Sequence, residues 1–183
     1  MSTKKETVSL EKAKEQVRRV CIRLGLLHLS YAKTLVEELS EKEGKRLVLK
    51  TIKDYGSIIG KKARASAVAR GLTPDPANYT EDLPLYGMYD DTESVEVNGE
   101  RRLRVYGCVM GKLWNELGDG DIGCLYCYVD TAKYMAFNPN FKLIHTKAMT
   151  RGDEYCEFVV RPTTEQDREE FAAKYTDWSQ IDK

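Results

Sequence analysis

No apolar run in this sequence approaches the roughly 20 residues that a helix needs to cross a bilayer, so no membrane association is expected. No net charge is left over, because 29 Lys and Arg cancel 29 Asp and Glu. No overall field therefore draws the chain to nucleic acid or to an anionic membrane surface. The opening stretch MSTKKETVSLEKAKEQ lacks the apolar centre and small-residue cleavage site of a secretory leader. The expected location is the cytoplasm, where thiols stay reduced. Internal repeats and low-complexity linkers are missing, and histidine occurs only twice, as His28 and His145.

What is present suits one domain. A chain of 183 residues buries about 70% of the surface its unfolded form exposes. From Val8 to about Ser40 apolar residues recur at helical spacing, with Ser9 as N-cap and a possible break at Gly25 or between His28 and Ser30. A second helix is expected from about Lys45 to Arg70, ended by Gly71 and the prolines beyond it. Within it Gly56 and Gly60 stand four apart on one face, each costing about 1 kcal/mol relative to Ala; close helix packing is the expected reason. The Pro- and Asp-rich segment that follows reads as a long connection, and its tyrosines (Tyr79, Tyr86, Tyr89) are placed to cover a cavity.

The pattern then turns to strands. ESVEVNGERRLRVYG alternates around an Asn98-Gly99 type I′ turn signal. A second hairpin runs from FKLIHTKAMT through a turn at Arg151 to Glu154 into YCEFVVR. Two short helices lie between the hairpins, the second capped by Asp130 or Thr131, and an amphipathic helix ends the chain. The expected fold is α+β: N-terminal helices on one antiparallel sheet of two hairpins, with short helices between them and a C-terminal helix. The helical part covers about 6–71, the connection 72–93 and the α+β part 94–178, in a single domain 1–183.

The stretch GCLYCYVD, Gly123 to Asp130, carries the densest chemistry. Cys124 and Cys127 form one C-x-x-C pair, but a structural zinc site normally shows two, and the preceding aspartates raise rather than lower a thiol pKa. Cys127 and Asp130, three apart, share a helical face if both are helical. In KLIHTKAM alternation puts His145 on one strand face with Leu143 and Lys147, opposite Ile144 and Thr146; a lone strand histidine is more often structural or exposed than catalytic. His28 reads as a satisfied core histidine. Cys156 stands in the returning strand, and buried cysteine usually acts as a small hydrophobe. Four of the five cysteines fall in the second half of the chain, which favours a shared cavity.

Taken together, Cys127-x-x-Asp130, Phe137-Asn138-Pro139 and Gly152-Asp153-x-x-Cys156-x-Phe158 resemble the C-terminal signature of the L-2-amino-thiazoline-4-carboxylic acid hydrolase family. The resemblance is strong over about Gly118 to Arg161 and weaker at DYGSIIGKK. The second hairpin also resembles 4-vinyl reductase-like ligand-binding domains. Both imply an α+β fold with an internal pocket for a small-molecule substrate.

The resemblance implies a hydrolase acting on a non-peptide carbon–nitrogen or carbon–sulfur bond of a small heterocycle or cyclic amidine. On that reading Asp130 holds the amidinium, and Cys127 or Cys156 attacks it, or water does with His145 or Asp130 as base. Asn138 binds the substrate carboxylate or the developing oxyanion, and Cys108, Tyr126 and Tyr55 complete the pocket. Cys124 matches no family position. No cofactor is expected; a zinc or haem site on His145 and the cysteines is the alternative that elemental analysis and a visible spectrum would reveal. The alternative function is a non-catalytic small-molecule or cofactor sensor of the 4-vinyl reductase-like type. A homo-oligomer is compatible with the sequence.

Overall fold

A computed structural model describes residues 7–81, 83–173 and 178–182. Two long antiparallel helices begin it. α1 (Leu10–Glu38) is capped by Ser9, whose hydroxyl accepts the N–H of Lys12. α2 (Glu41–Ala69) is capped by Ser40 in the same way. Contrary to the sequence expectation, α1 runs unbroken through Gly25. There the missing side chain admits the ring of Trp114, whose Nε1–H donates to the Gly25 carbonyl at 3.1 Å.

The sheet holds four antiparallel strands in the order β1-β2-β4-β3. β1 (Asp91–Val97) and β2 (Glu100–Tyr106) form the first hairpin. Asn98 and Gly99 both take positive φ, 53° and 77°, the geometry a type I′ turn demands. β3 (Phe141–Lys147) and β4 (Cys156–Pro162) form the second. Between the hairpins lie α3 (Val109–Glu116), a single turn α4 (Gly120–Gly123), a 3₁₀ turn (Cys124–Tyr128) and α5 (Val129–Phe137). α6 (Glu165–Ala172) starts at a capping box of Thr164 and Asp167 and is shorter than the amphipathic pattern predicts. Residues 174–177 of that pattern lie outside the described residues, and Trp178–Asp182 forms a 3₁₀ turn.

The β3–β4 register slips between His145 and Lys147: His145 stands opposite Phe158 and Lys147 opposite Glu157, leaving Thr146 as a bulge. This corrects the simple alternation. Leu143 and His145 share a face with Leu103, Val105, Cys156 and Phe158, but Lys147 turns to the other face. Its ammonium there meets the Tyr155 hydroxyl at 3.0 Å, and Thr146 Oγ1 donates to the buried Glu157 carboxylate, which Arg102 and Arg104 also hold.

α5 is pressed against α2 through the glycine pair. A Cβ on Gly56 would stand 2.6 Å from that of Ala132, and one on Gly60 would overlap the Lys133 carbonyl. The core beneath this contact joins Val48, Leu49 and Ile52 of α2 to Val129, Ala132 and Met135 of α5 and to Trp178 and Ile181. Trp178 is tied down as its Nε1–H donates to the Leu49 carbonyl at 3.1 Å. Two glycines that weaken α2 by propensity thus set how closely α5 approaches.

Candidate active site

A cavity of about 270 Å³ lies between the inner sheet face, α2, α5 and the connection that crosses over them. Most of its wall is apolar, with Ile59, Leu83, Leu85, Met88, Leu103, Val105 and Phe158 among the lining residues. The connection covers it as expected, though of its tyrosines only Tyr89 reaches the cavity. Tyr79 instead stacks on Tyr134, ring centroids 4.6 Å apart.

Seven of the eight residues singled out in the sequence meet here: Cys127, Asp130, Cys156, His145, Cys108, Tyr126 and Tyr55 all line the cavity. Asn138 does not. It ends α5, where its side-chain amide donates to the Pro74 carbonyl at 2.8 Å and its oxygen accepts the N–H of Asn140 at 3.0 Å. That leaves it shaping a turn rather than facing a ligand. Cys124 lies off the cavity and donates to the Asp121 carbonyl.

Asp130 stands in the first turn of α5 and is not its cap; Tyr128 holds the cap position. One carboxylate oxygen meets Lys133 Nζ at 2.9 Å and the other faces His145 Nε2 at 3.4 Å. On the far side of the ring, His145 Nδ1 meets Asp182 Oδ1 at 2.9 Å, and the same oxygen accepts the His145 backbone N–H at 2.8 Å. Lys133 in turn reaches Glu81 of the covering connection at 2.7 Å. A continuous polar line, Asp182–His145–Asp130–Lys133–Glu81, therefore runs along one wall of a mostly apolar space, with Asp182 standing behind His145.

Burial alone would neutralise these groups, and the partners reverse it. Burial pulls the His145 pKa down, but hydrogen bonds to Asp130 and Asp182 outweigh it and raise the value to about 9. The ring is an imidazolium at neutral pH. Asp130, which burial would push up, is held well below the usual carboxylate range by Lys133 and His145. Lys133 is lowered by burial but raised on balance by Asp130 and Glu81. The thiols go the other way: burial and the neighbouring Asp130 charge lift Cys127 well above its ordinary value, and burial raises Cys108 and pushes Cys156 up to about 11. All three are neutral thiols at pH 7.

Lys133, Glu81 and Asp182 escaped the sequence reading. Lys133 stands three residues after Asp130, the spacing that puts two side chains on one helical face, and that signal was open to view. Asp182 had none, since only the fold brings it to His145. His28 is half-buried and partly satisfied as expected: the backbone of Ile122 and Gly123 hydrogen-bonds the ring, its Nε2 has no partner among the described residues, and burial, the largest influence, lowers its pKa. Among the described residues no three of His, Cys, Asp and Glu are grouped to hold a metal ion, and no helix is long and apolar enough to cross a membrane.

Comparison with known families matches residues 6–160 to a sequence model described as L-2-amino-thiazoline-4-carboxylic acid hydrolase. No curated protein matches the chain. The matched span holds the covering connection, the glycine pair of α2, and Cys127, Asp130, Lys133, His145 and Cys156; only Asp182 of the polar line falls outside it. With more than four-fifths of its length matched, the chain belongs to the L-2-amino-thiazoline-4-carboxylic acid hydrolase family.

Proposed function

We propose that the cavity binds a small cyclic amidine of the 2-amino-thiazoline-carboxylate type and opens its ring by adding water. The observation that carries this reading is Asp130 facing His145 Nε2 at 3.4 Å inside a mostly apolar space, where each holds the other toward its charged form. An anion and a proton donor side by side suit a cationic electrophile whose leaving group needs a proton. The line and its Arg151 neighbour carry three anions (Asp130, Asp182, Glu81) and three cations (Lys133, His145, Arg151). Their balance suits a ligand of no net charge. An amidinium that also bears a carboxylate is such a zwitterion.

In this mechanism the amidinium N–H groups dock on Asp130, and the substrate carboxylate meets Lys133 in place of Glu81. Water attacks the ring carbon between nitrogen and sulfur, forming the C–O bond, and gives a proton to Asp130. The C–S bond then breaks with its electron pair leaving on sulfur, which takes the Nε2 proton of His145. The protonated carbamoyl group releases its extra proton to water. Transfer from Asp130 to His145 restores both groups. The product is an N-carbamoyl amino thiol.

Water rather than a protein sulfur is the nucleophile, because Cys127, Cys108 and Cys156 are held neutral and the thiolate is the reactive form. The test is incubation with 2-amino-thiazoline-4-carboxylate, following the new thiol by mass spectrometry. Asp130→Asn should lower turnover by about 10²–10⁴-fold, the usual contribution of a positioned acid or base, with the circular dichroism spectrum kept. Product formation by the variant at the native rate would remove Asp130 from the chemistry. No product from the native protein would overturn the reading.

A further inference from the structure

α1 has two apolar faces. One, with Cys21, Gly25, Leu29 and Ala32, is buried in the fold. The other, Val20, Leu27 and Tyr31, lies at the surface, where Val20 is 65% exposed, Leu27 54% and Tyr31 67%; Leu24 between them is half-buried and also packs against the core around Trp114. Their spacing of four, three and four is that of a helix–helix seam, and it continues at the same alternation through Val17, Ala13 and Leu10. An apolar groove of about 400 Å³ separates this stripe from α2, where Thr51 and Tyr55 form its other bank. Ile58, 68% exposed, extends the patch one turn further. A contiguous apolar surface of this kind marks an interaction site, whereas scattered exposed residues do not.

We propose that this face pairs with the same face of a second copy of the chain, the two α1 helices running antiparallel about a two-fold axis between Leu24 and Leu27. Charge along the helix selects both partner and direction. Residues 11–23 carry Lys12, Lys14, Arg18, Arg19 and Arg23 against Glu11 and Glu15, whereas residues 24–38 carry Lys33 against Glu37 and Glu38. The N-terminal half is net positive and the C-terminal half net negative. Antiparallel pairing sets each half against its opposite, and parallel pairing would set like against like. The same arrangement places Val20 opposite the partner's Tyr31 and Leu24 opposite the partner's Leu27, closing this central part of the stripe on itself as an isologous interface does, while Val17 and Ala13 fall opposite the partner's Thr34 and the partner's Glu38.

Sedimentation equilibrium of the full chain up to about 50 μM, where mass action favours association, should show a dimer. Leu24→Glu with Leu27→Glu should sediment as a monomer with its helical spectrum intact. Glu37→Lys with Glu38→Lys should weaken the dimer at least about tenfold, and less so in high salt, as expected for paired charges at an interface rim. Geometry is tested by cysteine: Val20→Cys with Tyr31→Cys should give an interchain disulfide on mild oxidation, and Val20→Cys alone should not. A native chain that sediments as a monomer, with or without a bound apolar molecule, would overturn the proposal. So would a dimer that Val20→Cys alone cross-links, or one that survives Leu24→Glu with Leu27→Glu.

Discussion

His145 Nδ1 and Asp182 Oδ1 lie 2.9 Å apart, and the same oxygen receives the backbone N–H of His145. One carboxylate thus fixes both the strand and the ring of the histidine, so the imidazole cannot turn without losing a buried partner. Thr131 Oγ1 approaches that oxygen too, at 3.3 Å, which ties the arrangement to the helix that carries Asp130.

Asp182→Asn removes one of the two anions that hold the His145 proton. If His145 is the general acid, the alkaline limb of the kcat–pH profile, set in the native protein by a group raised to about 9, should move down by at least about one unit. Measuring that limb, or titrating the ring by NMR, checks it. An unmoved limb would separate His145 from the proton transfer.

Stability should fall on the alkaline side for the same reason. A histidine raised in the folded state from 6.5 to about 9 binds its proton more tightly folded than unfolded. Its contribution is complete below pH 6.5 and is lost as pH rises through about 9. The loss should be on the order of a few kcal/mol, read as the difference in alkaline melting between the native chain and His145→Gln. Parallel melting curves would show that the ring is not charged in the folded state.

Cys127→Ala should keep turnover within about threefold, since a neutral thiol is not the nucleophile. It should cost about 1 kcal/mol through the small void it leaves. Iodoacetamide should label the cavity thiols slowly at pH 7. Loss of all turnover in a folded Cys127→Ala protein would restore covalent catalysis.

Gly60→Ala should act at a distance. Its methyl group would overlap the Lys133 carbonyl, forcing α5 from α2 at a cost of roughly 1–3 kcal/mol and shifting Asp130 and Lys133 together. Both the melting temperature and the turnover number should drop. An exposed control such as Gly99, where added atoms meet nothing but φ is 77°, should lower stability and leave turnover unchanged.

Much of this was legible because it rests on local rules. Asn98-Gly99 announced the first hairpin, Ser9 the start of α1, and Gly56 with Gly60 the close approach of another backbone. Cys127 and Asp130 were paired by helical spacing, and they do line one cavity with His145 and Cys156. What could not be read is tertiary. Asp182 meets a histidine 37 residues away, and no period in the sequence connects them. Asn138 entered the expected site through the family resemblance of Phe137-Asn138-Pro139, yet its hydrogen bonds go to Pro74 and Asn140 at the end of α5. The unbroken course of α1 through Gly25 depended on a tryptophan 89 residues further along the chain.

The bulge at Thr146 keeps one more cation off the inner face of the sheet. In a regular strand Lys147 would point its ammonium inward beside His145, and the balance of three cations to three anions would become four to three. The wall would then favour net anions over zwitterions. The extra backbone position at Thr146 therefore keeps the Lys147 ammonium out of the cavity, and deleting Thr146, which would set Lys147 next to His145 and still on the opposite face, should leave that exclusion in place.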